Sequence, residues 1–353
     1  MPVTKTVRGH FFEDFKIGQV LRHATPRTVT AGDQALYTSL YGSRFAVQAS
    51  DLFARAIGLP RAPLDDLLVF HIVFGKTVPD VSLHAVANLG YASCVFGVPV
   101  YAGDTLSAHS EVIGLKENSN GKTGVVRVRS LGVNQNGETV LDYIRWVMVN
   151  KRDAAAPAPD PVMSALPQSV PAEDIVIPKG LNLAGYDTAA AGSAHLWDDY
   201  EVGERIDHVD GMTIEEAEHQ MATRLYQNTA RVHFDLHAAK KGRFGRRIVY
   251  GGHVISLARA LSFNGLASAF RIAAINGGRH AAPSFAGDTI YAWSEVLDKI
   301  ALPDREDVGA LRLRSIATKD RACADFPHQD ADGKPDTAVV LELDYTVLMP
   351  RRL

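Results

Sequence analysis

The chain has 353 residues, 37 Lys+Arg against 40 Asp+Glu, 46% apolar residues and two cysteines, which suits roughly two domains that each bury a core. A net charge of −3 excludes a protein that works by neutralising nucleic-acid phosphates, and Cys94 and Cys323 form neither a CxxC motif nor a disulfide scaffold. No apolar run precedes the first acidic residues and none approaches the roughly 18 residues of a membrane helix, so a soluble, cytoplasmic protein without a membrane partner is expected.

In chain order, an aromatic-acidic turn at Phe12-Glu13-Asp14-Phe15-Lys16-Ile17-Gly18 comes first, then a polar segment with helical spacing over 31–41. Strands are predicted over 105–114, 124–134 and 139–150, rich in Val, Ile, Leu and aromatics, with Asn136-Gly137 as a turn signal. Prolines 157, 159, 161, 167, 171 and 178 then mark a linker, because proline fixes φ and removes a backbone donor. Beyond it the pattern returns. A turn at Trp197-Asp198-Asp199-Tyr200-Glu201-Val202-Gly203 precedes a polar helical segment over 214–226. A helix apolar nearly all round is predicted over 254–270, and strands over 289–297, 310–318 and 339–348.

The two series match at almost constant offset. Leu40-Tyr41 pairs with Leu225-Tyr226 and Arg127-Val128-Arg129-Ser130 with Arg312-Leu313-Arg314-Ser315 at 185, and Ala102-Gly103-Asp104-Thr105 with Ala286-Gly287-Asp288-Thr289 at 184. This is a duplicated domain: residues 1–155, a linker over 156–192, and residues 193–353. A long buried helix against an antiparallel sheet, twice over, is an α+β layer arrangement.

Copy two holds the polar candidates. Asn228 lies five residues before His233, and Ile248-Val249-Tyr250-Gly251-Gly252-His253 opens the apolar helix. A helix N-terminus exposes N–H groups, and glycine lets a carbonyl oxygen come close, so the set describes an oxyanion site with a proton-moving histidine. Spacing alone is met more readily by a helix cap, a satisfied core histidine and a packing glycine pair. The loop Lys240-Lys241-Gly242-Arg243-Phe244-Gly245-Arg246-Arg247 offers arginine forks to anions, or is a solvated face. His233 and His237 stand at zinc spacing, but no HExxH or Cys pair supports a site, so neither metal nor cofactor is expected. Asp104 and Asp288 read as turn residues.

These residues resemble the MaoC-like, R-specific enoyl-CoA hydratases, whose motif reads Gly-Asp-x-Asn-Pro-Ile/Leu-His before a helix. The resemblance covers both copies and implies a double hot-dog fold, a CoA-thioester substrate and a hydro-lyase that adds water reversibly to a short branched enoyl-CoA dicarboxylate. It places His233 at the family's histidine, Gly251 or Gly252 at the oxyanion glycine, and Asn228 where the family has aspartate. An amide orients water but moves no proton, so His233 carries both transfers, or Asp235 or another group shares them. Arg243, Arg246 and Arg247, with Tyr250 and more weakly Arg231, are expected against the substrate. In copy one Ser43 and Gln48 replace Asn228 and His233, and no glycine pair precedes His71. That copy is expected to shape the acyl-CoA channel, with His71 a core or channel residue. A thioesterase or a non-catalytic acyl-CoA binder on the same fold stays open, as does a homodimer.

Overall fold

The structure is a computed structural model that describes residues 5–352 apart from 7, 330 and 331. Copy one runs through a 3-10 turn Phe12–Asp14, β1 (Val20–Thr28), α1 (Ala31–Tyr41), α2 (Ala46–Ala49), α3 (Asp51–Ala56) and the long α4 (Asp66–Thr77). It closes with β2 (Ala85–Phe96), β3 (Thr105–Glu117), β4 (Thr123–Val133) and β5 (Thr139–Asn150). After α5 (Thr188–Ala191) in the connecting segment, copy two repeats this with β6 (Arg205–Asp207), β7 (Met212–Thr213), α6 (Glu216–Leu225), α7 (Leu236–Ala239) and α8 (Gly251–Leu261). Its strands are β8 (Arg271–His280), β9 (Thr289–Ala301), β10 (Val308–Lys319) and β11 (Val339–Pro350).

One antiparallel sheet passes through both copies in the order β1-β3-β4-β5-β2-β8-β11-β10-β9-β6, with β7 on β9. The second half reverses the first, so a pseudo-twofold axis crosses the β2–β8 pairing where Ala92 faces Gly277, residues 185 apart. The same axis runs through the core. Tyr41 and Tyr226 share a 2.7 Å hydrogen bond, and His71 Nε2 lies 2.9 Å from Ser256 Oγ, each pair again separated by 185. The repeated residues therefore meet each other, which is the double hot-dog layout.

Each copy wraps its sheet around one helix. All of α4 from Leu67 to Thr77 and all of α8 from Gly252 to Leu261 are buried, as an all-round apolar pattern demands. Each Leu, Ile or Phe enclosed there contributes about 1.5–3 kcal/mol by leaving water. α1 starts on a Thr30–Asp33 capping box and stops at Gly42, whose φ of 60° is the left-handed conformation that glycine adopts without strain.

Three features depart from the sequence reading. The helix predicted over 254–270 starts earlier, at Gly251, and ends at Leu261, because Asn264 (ψ 105°) and Gly265 (φ 100°) turn the chain toward β8. The central strands β2 and β8 escape the strand pattern, since Asn88, Gly90, Asn276, Gly277 and Gly278 interrupt their apolar runs. The proline-rich segment is no free tether. Val162 bridges to Leu115, the Val170 N–H donates to Asn276 Oδ1 at 2.9 Å, and Ile175, Leu181 and Leu183 are buried beside Phe53, Ile57 and Phe270. No helix among the described residues is long and apolar enough to cross a membrane.

Candidate active site

A cavity of about 380 Å³ lies between the copies. Copy two supplies Asn228, His233, Tyr250, Gly251 and His280; copy one supplies Phe74, Asn88, Tyr91 and Arg145. The cavity wall carries no carboxylate among the described residues.

His233 ends a 3-10 turn, Arg231–His233, that folds back on the approach to α8. Its Nδ1–H donates to the Ile248 carbonyl at 2.9 Å, which fixes the tautomer and leaves Nε2 with a lone pair. Burial pushes its pKa down to about 4, so the ring is neutral and proton-accepting at neutral pH. His280 is held down to about 4 by burial and by His233, and its Nε2 lies 3.4 Å from the Tyr91 hydroxyl.

Asn228 is buried, and its Oδ1 accepts the Ala230 N–H at 3.0 Å. The amide thus makes the local turn that the plainer reading allows, while its side chain also lines the cavity. Its Nδ2 donates to no protein group among the described residues. Asp235 does not line the cavity and caps α7 through the Ala238 N–H at 2.9 Å.

The N-terminus of α8 opens on the same space. Tyr250 is its N-cap and provides no side-chain acceptor; its carbonyl accepts the His253 N–H at 2.8 Å, and the N–H groups of Gly251 and Gly252 have no side-chain cap. The glycines are needed for packing whatever the chemistry: a Cβ on Gly251 would stand 2.4 Å from the His280 ring, and on Gly252 2.5 Å from His71. Tyr250 lines the cavity, its ring centroid 5.7 Å from that of His233 and 5.7 Å from that of Phe74. His71 lies in the core rather than on the wall, with Nδ1 3.3 Å from the Tyr250 hydroxyl.

The basic loop stands apart from the cavity wall. Arg243 and Arg246 are exposed over Phe244 and Phe285, while Arg247 is buried and bonded to Glu216 and Gln220. Arg231 instead lines a surface groove with Arg8 and Arg152, and this groove shares Ser82, Ala85, Ala230 and Val232 with the cavity.

Arg145, Asn88, Tyr91 and His280 were not singled out by the sequence. For Arg145 a signal existed. It falls on the buried parity of β5 with Leu141, Tyr143, Val147 and Val149, where an arginine calls for a reason.

The corresponding region of copy one is closed. Ser43, Gln48 and Asp65 stand opposite Asn228, His233 and Tyr250 and surround only about 10 Å³ of space. Gln48 Nε2 donates to the Phe270 carbonyl at 2.7 Å, and Asp65 caps α4 through the Leu67 N–H at 2.9 Å.

The sequence profile described as mesaconyl-CoA hydratase matches residues 3–326. The chain is 69% identical to a β-methylmalyl-CoA dehydratase of Chloroflexus aurantiacus over 348 residues, 99% of both chains. It is 60% identical to a mesaconyl-CoA hydratase of Cereibacter sphaeroides over 98% of this chain and 100% of that one. A crystal structure of a putative MaoC domain dehydratase from C. aurantiacus superposes with a TM-score of 0.97 at 69% identity, covering 99% of this chain and 100% of that one. A double-hotdog protein of Mycobacterium tuberculosis superposes at 0.76 with 26% identity, covering 97% and 98%. The chain belongs to the mesaconyl-CoA hydratase family.

Proposed function

We propose that this protein is a hydro-lyase that interconverts mesaconyl-CoA and β-methylmalyl-CoA in the cavity between its two copies. The observation that carries this reading is the position of His233: its Nδ1–H is committed to Ile248, and the ring lines the same cavity as the uncapped start of α8.

The thioester carbonyl accepts from the N–H groups of Gly251 and Gly252, which makes Cβ electrophilic and stabilises the enolate that forms. Asn228 holds a water. His233 Nε2 takes a proton from it as the oxygen adds to Cβ, and the resulting Nε2–H returns a proton to Cα. One base performing both transfers adds H and OH to the same face of the double bond. The CoA arm leaves past Ser82, Ala85, Ala230 and Val232 into the groove of Arg8 and Arg231, and the exposed Arg243 and Arg246 add positive charge for its phosphates.

The test is turnover of mesaconyl-CoA by the purified protein, following enoyl-thioester absorbance beside a thiol reagent. Loss of the double bond without free thiol, abolished in His233→Ala, is the expected result. Thiol release would make the protein a thioesterase, and no change in either signal would reject the reading for this substrate.

A further inference from the structure

Among the described residues Arg145 is the one Arg, Lys, Asp or Glu on the cavity wall, and it comes from the copy without the histidine. It is 0% exposed. Nη2 donates to Thr77 Oγ1 at 2.7 Å and to Ser82 Oγ at 3.2 Å, while Nε and Nη1, beside the Tyr143 phenol, reach no partner at hydrogen-bond geometry among the described residues. The guanidinium carbon lies 4.3 Å over the Phe74 ring.

Its lack of an acidic neighbour is what separates it from the other buried arginines. Arg247 is paired with Glu216, Arg271 lies 3.7 Å from Asp66, and Arg259 faces Asp65 and Asp66. The groups facing Arg145 are the phenols of Tyr143, Tyr91 and Tyr250, and no carboxylate is among them. Burying an uncompensated cation is costly unless an anion completes the site. Nor is the arginine alone. Both amide atoms of Asn88 and the Ser284 hydroxyl are also buried without partners, and both residues line this cavity.

We infer that Arg145 is the receptor for the free carboxylate of the acyl group, so that copy one selects a dicarboxylic enoyl-CoA while copy two performs the addition. This rests on the hydratase reading above. Mesaconyl-CoA carries a carboxylate across the double bond from its thioester, and the guanidinium keeps unpartnered donors at Nε and Nη1, on opposite edges of the group, one of which can meet it. Between the two ends, the Tyr250 ring touches Phe74 on the arginine side and His233 on the other. With the thioester at α8 and the carboxylate on Arg145, the double bond is held at both ends before His233. The assignment moves carboxylate recognition from the basic loop to a residue about 100 positions earlier.

The experiment compares kcat/KM for mesaconyl-CoA and for crotonyl-CoA, which keeps the enoyl thioester and lacks the carboxylate. Wild type is expected to favour mesaconyl-CoA. Arg145→Gln is expected to lose about 10²–10³-fold on mesaconyl-CoA and to change less than threefold on crotonyl-CoA. Arg145→Lys, which keeps the charge without the planar guanidinium, should fall between them. In case Arg145→Gln does not fold, wild type is also assayed with the methyl ester of mesaconyl-CoA, where a loss of similar size is expected. Equal loss on both substrates by a folded Arg145→Gln, retained mesaconyl-CoA preference, or full activity on the ester would each overturn the inference. If wild type hydrates neither substrate, it is the hydratase reading that fails, and the assignment of Arg145 falls with it.

Discussion

The start of the central helix differs between the two copies: α4 has a side-chain cap and α8 has none. In copy one, Asp65 caps α4 and Asp66 accepts the Ile272 N–H at 2.9 Å, so side-chain carboxylates occupy the donor-rich end. In copy two, Tyr250 and Gly251 stand at these places and leave the helix end uncapped on a cavity. The same strand order and the same buried helix thus yield one sealed end and one open end. The lesson is that duplication supplied the scaffold twice, whereas the cavity needed both halves to become different.

Importing copy one's carboxylate into copy two should have the largest effect. Gly251→Asp is expected to lower kcat/KM by at least about 10²–10³, through charge repulsion at the oxyanion position and crowding of His280. Gly251→Ala carries the crowding alone and should lose less; equal losses would leave packing as the whole reason for the glycine.

Acid should expose the buried histidines. His71 and His253 are held down to about 3, and His208, His233 and His280 to about 4, all chiefly by burial. In the unfolded chain they titrate near 6.5. Between these values the unfolded chain binds protons that the native chain does not. Stability is therefore full above pH 6.5 and falls as pH drops toward 4, by up to about 1.4 kcal/mol per pH unit for each histidine. Thermal melts from pH 8 to 4.5 should show a steep decline, and a flat profile would contradict this burial. The acid limb of kcat/KM should likewise lie nearer 4 than 6.5.

Placing a histidine in the sealed half should do nothing. Gln48→His, in an otherwise His233→Ala protein, is expected to restore no turnover, because only about 10 Å³ surrounds it and Asp65 caps the helix. Any recovered hydration would break the comparison. The smallest effect belongs to the exposed loop: Arg243→Ala and Arg246→Ala should raise KM less than tenfold, more at low salt, with kcat unchanged.

Much of this architecture was legible in the sequence. The constant offset exposed the duplication, and identical residues such as Tyr41 and Tyr226 meet on the axis it implied. Asn228, His233 and Gly251 line one cavity, whereas Gly252 packs against His71 and Tyr250. What stayed hidden came from the other copy or from strands. Arg145 and Tyr91 reach the cavity across a sheet, and no local spacing links them to His233. The three loop arginines drew attention by their density, yet an arginine run is favourable in water, whereas a lone buried arginine is costly. The central strands were missed for a similar reason: their place in the sheet comes from pairing across the axis, not from alternation within each strand.

On the proposed mechanism copy two alone performs the addition. The direct test is to make copy two resemble copy one at a single position, His233→Gln, and to measure mesaconyl-CoA hydration beside Gln48→Ala. His233→Gln is expected to lose about 10²–10⁴ with the protein still folded, and Gln48→Ala under threefold. Activity of His233→Gln within threefold of wild type would contradict it.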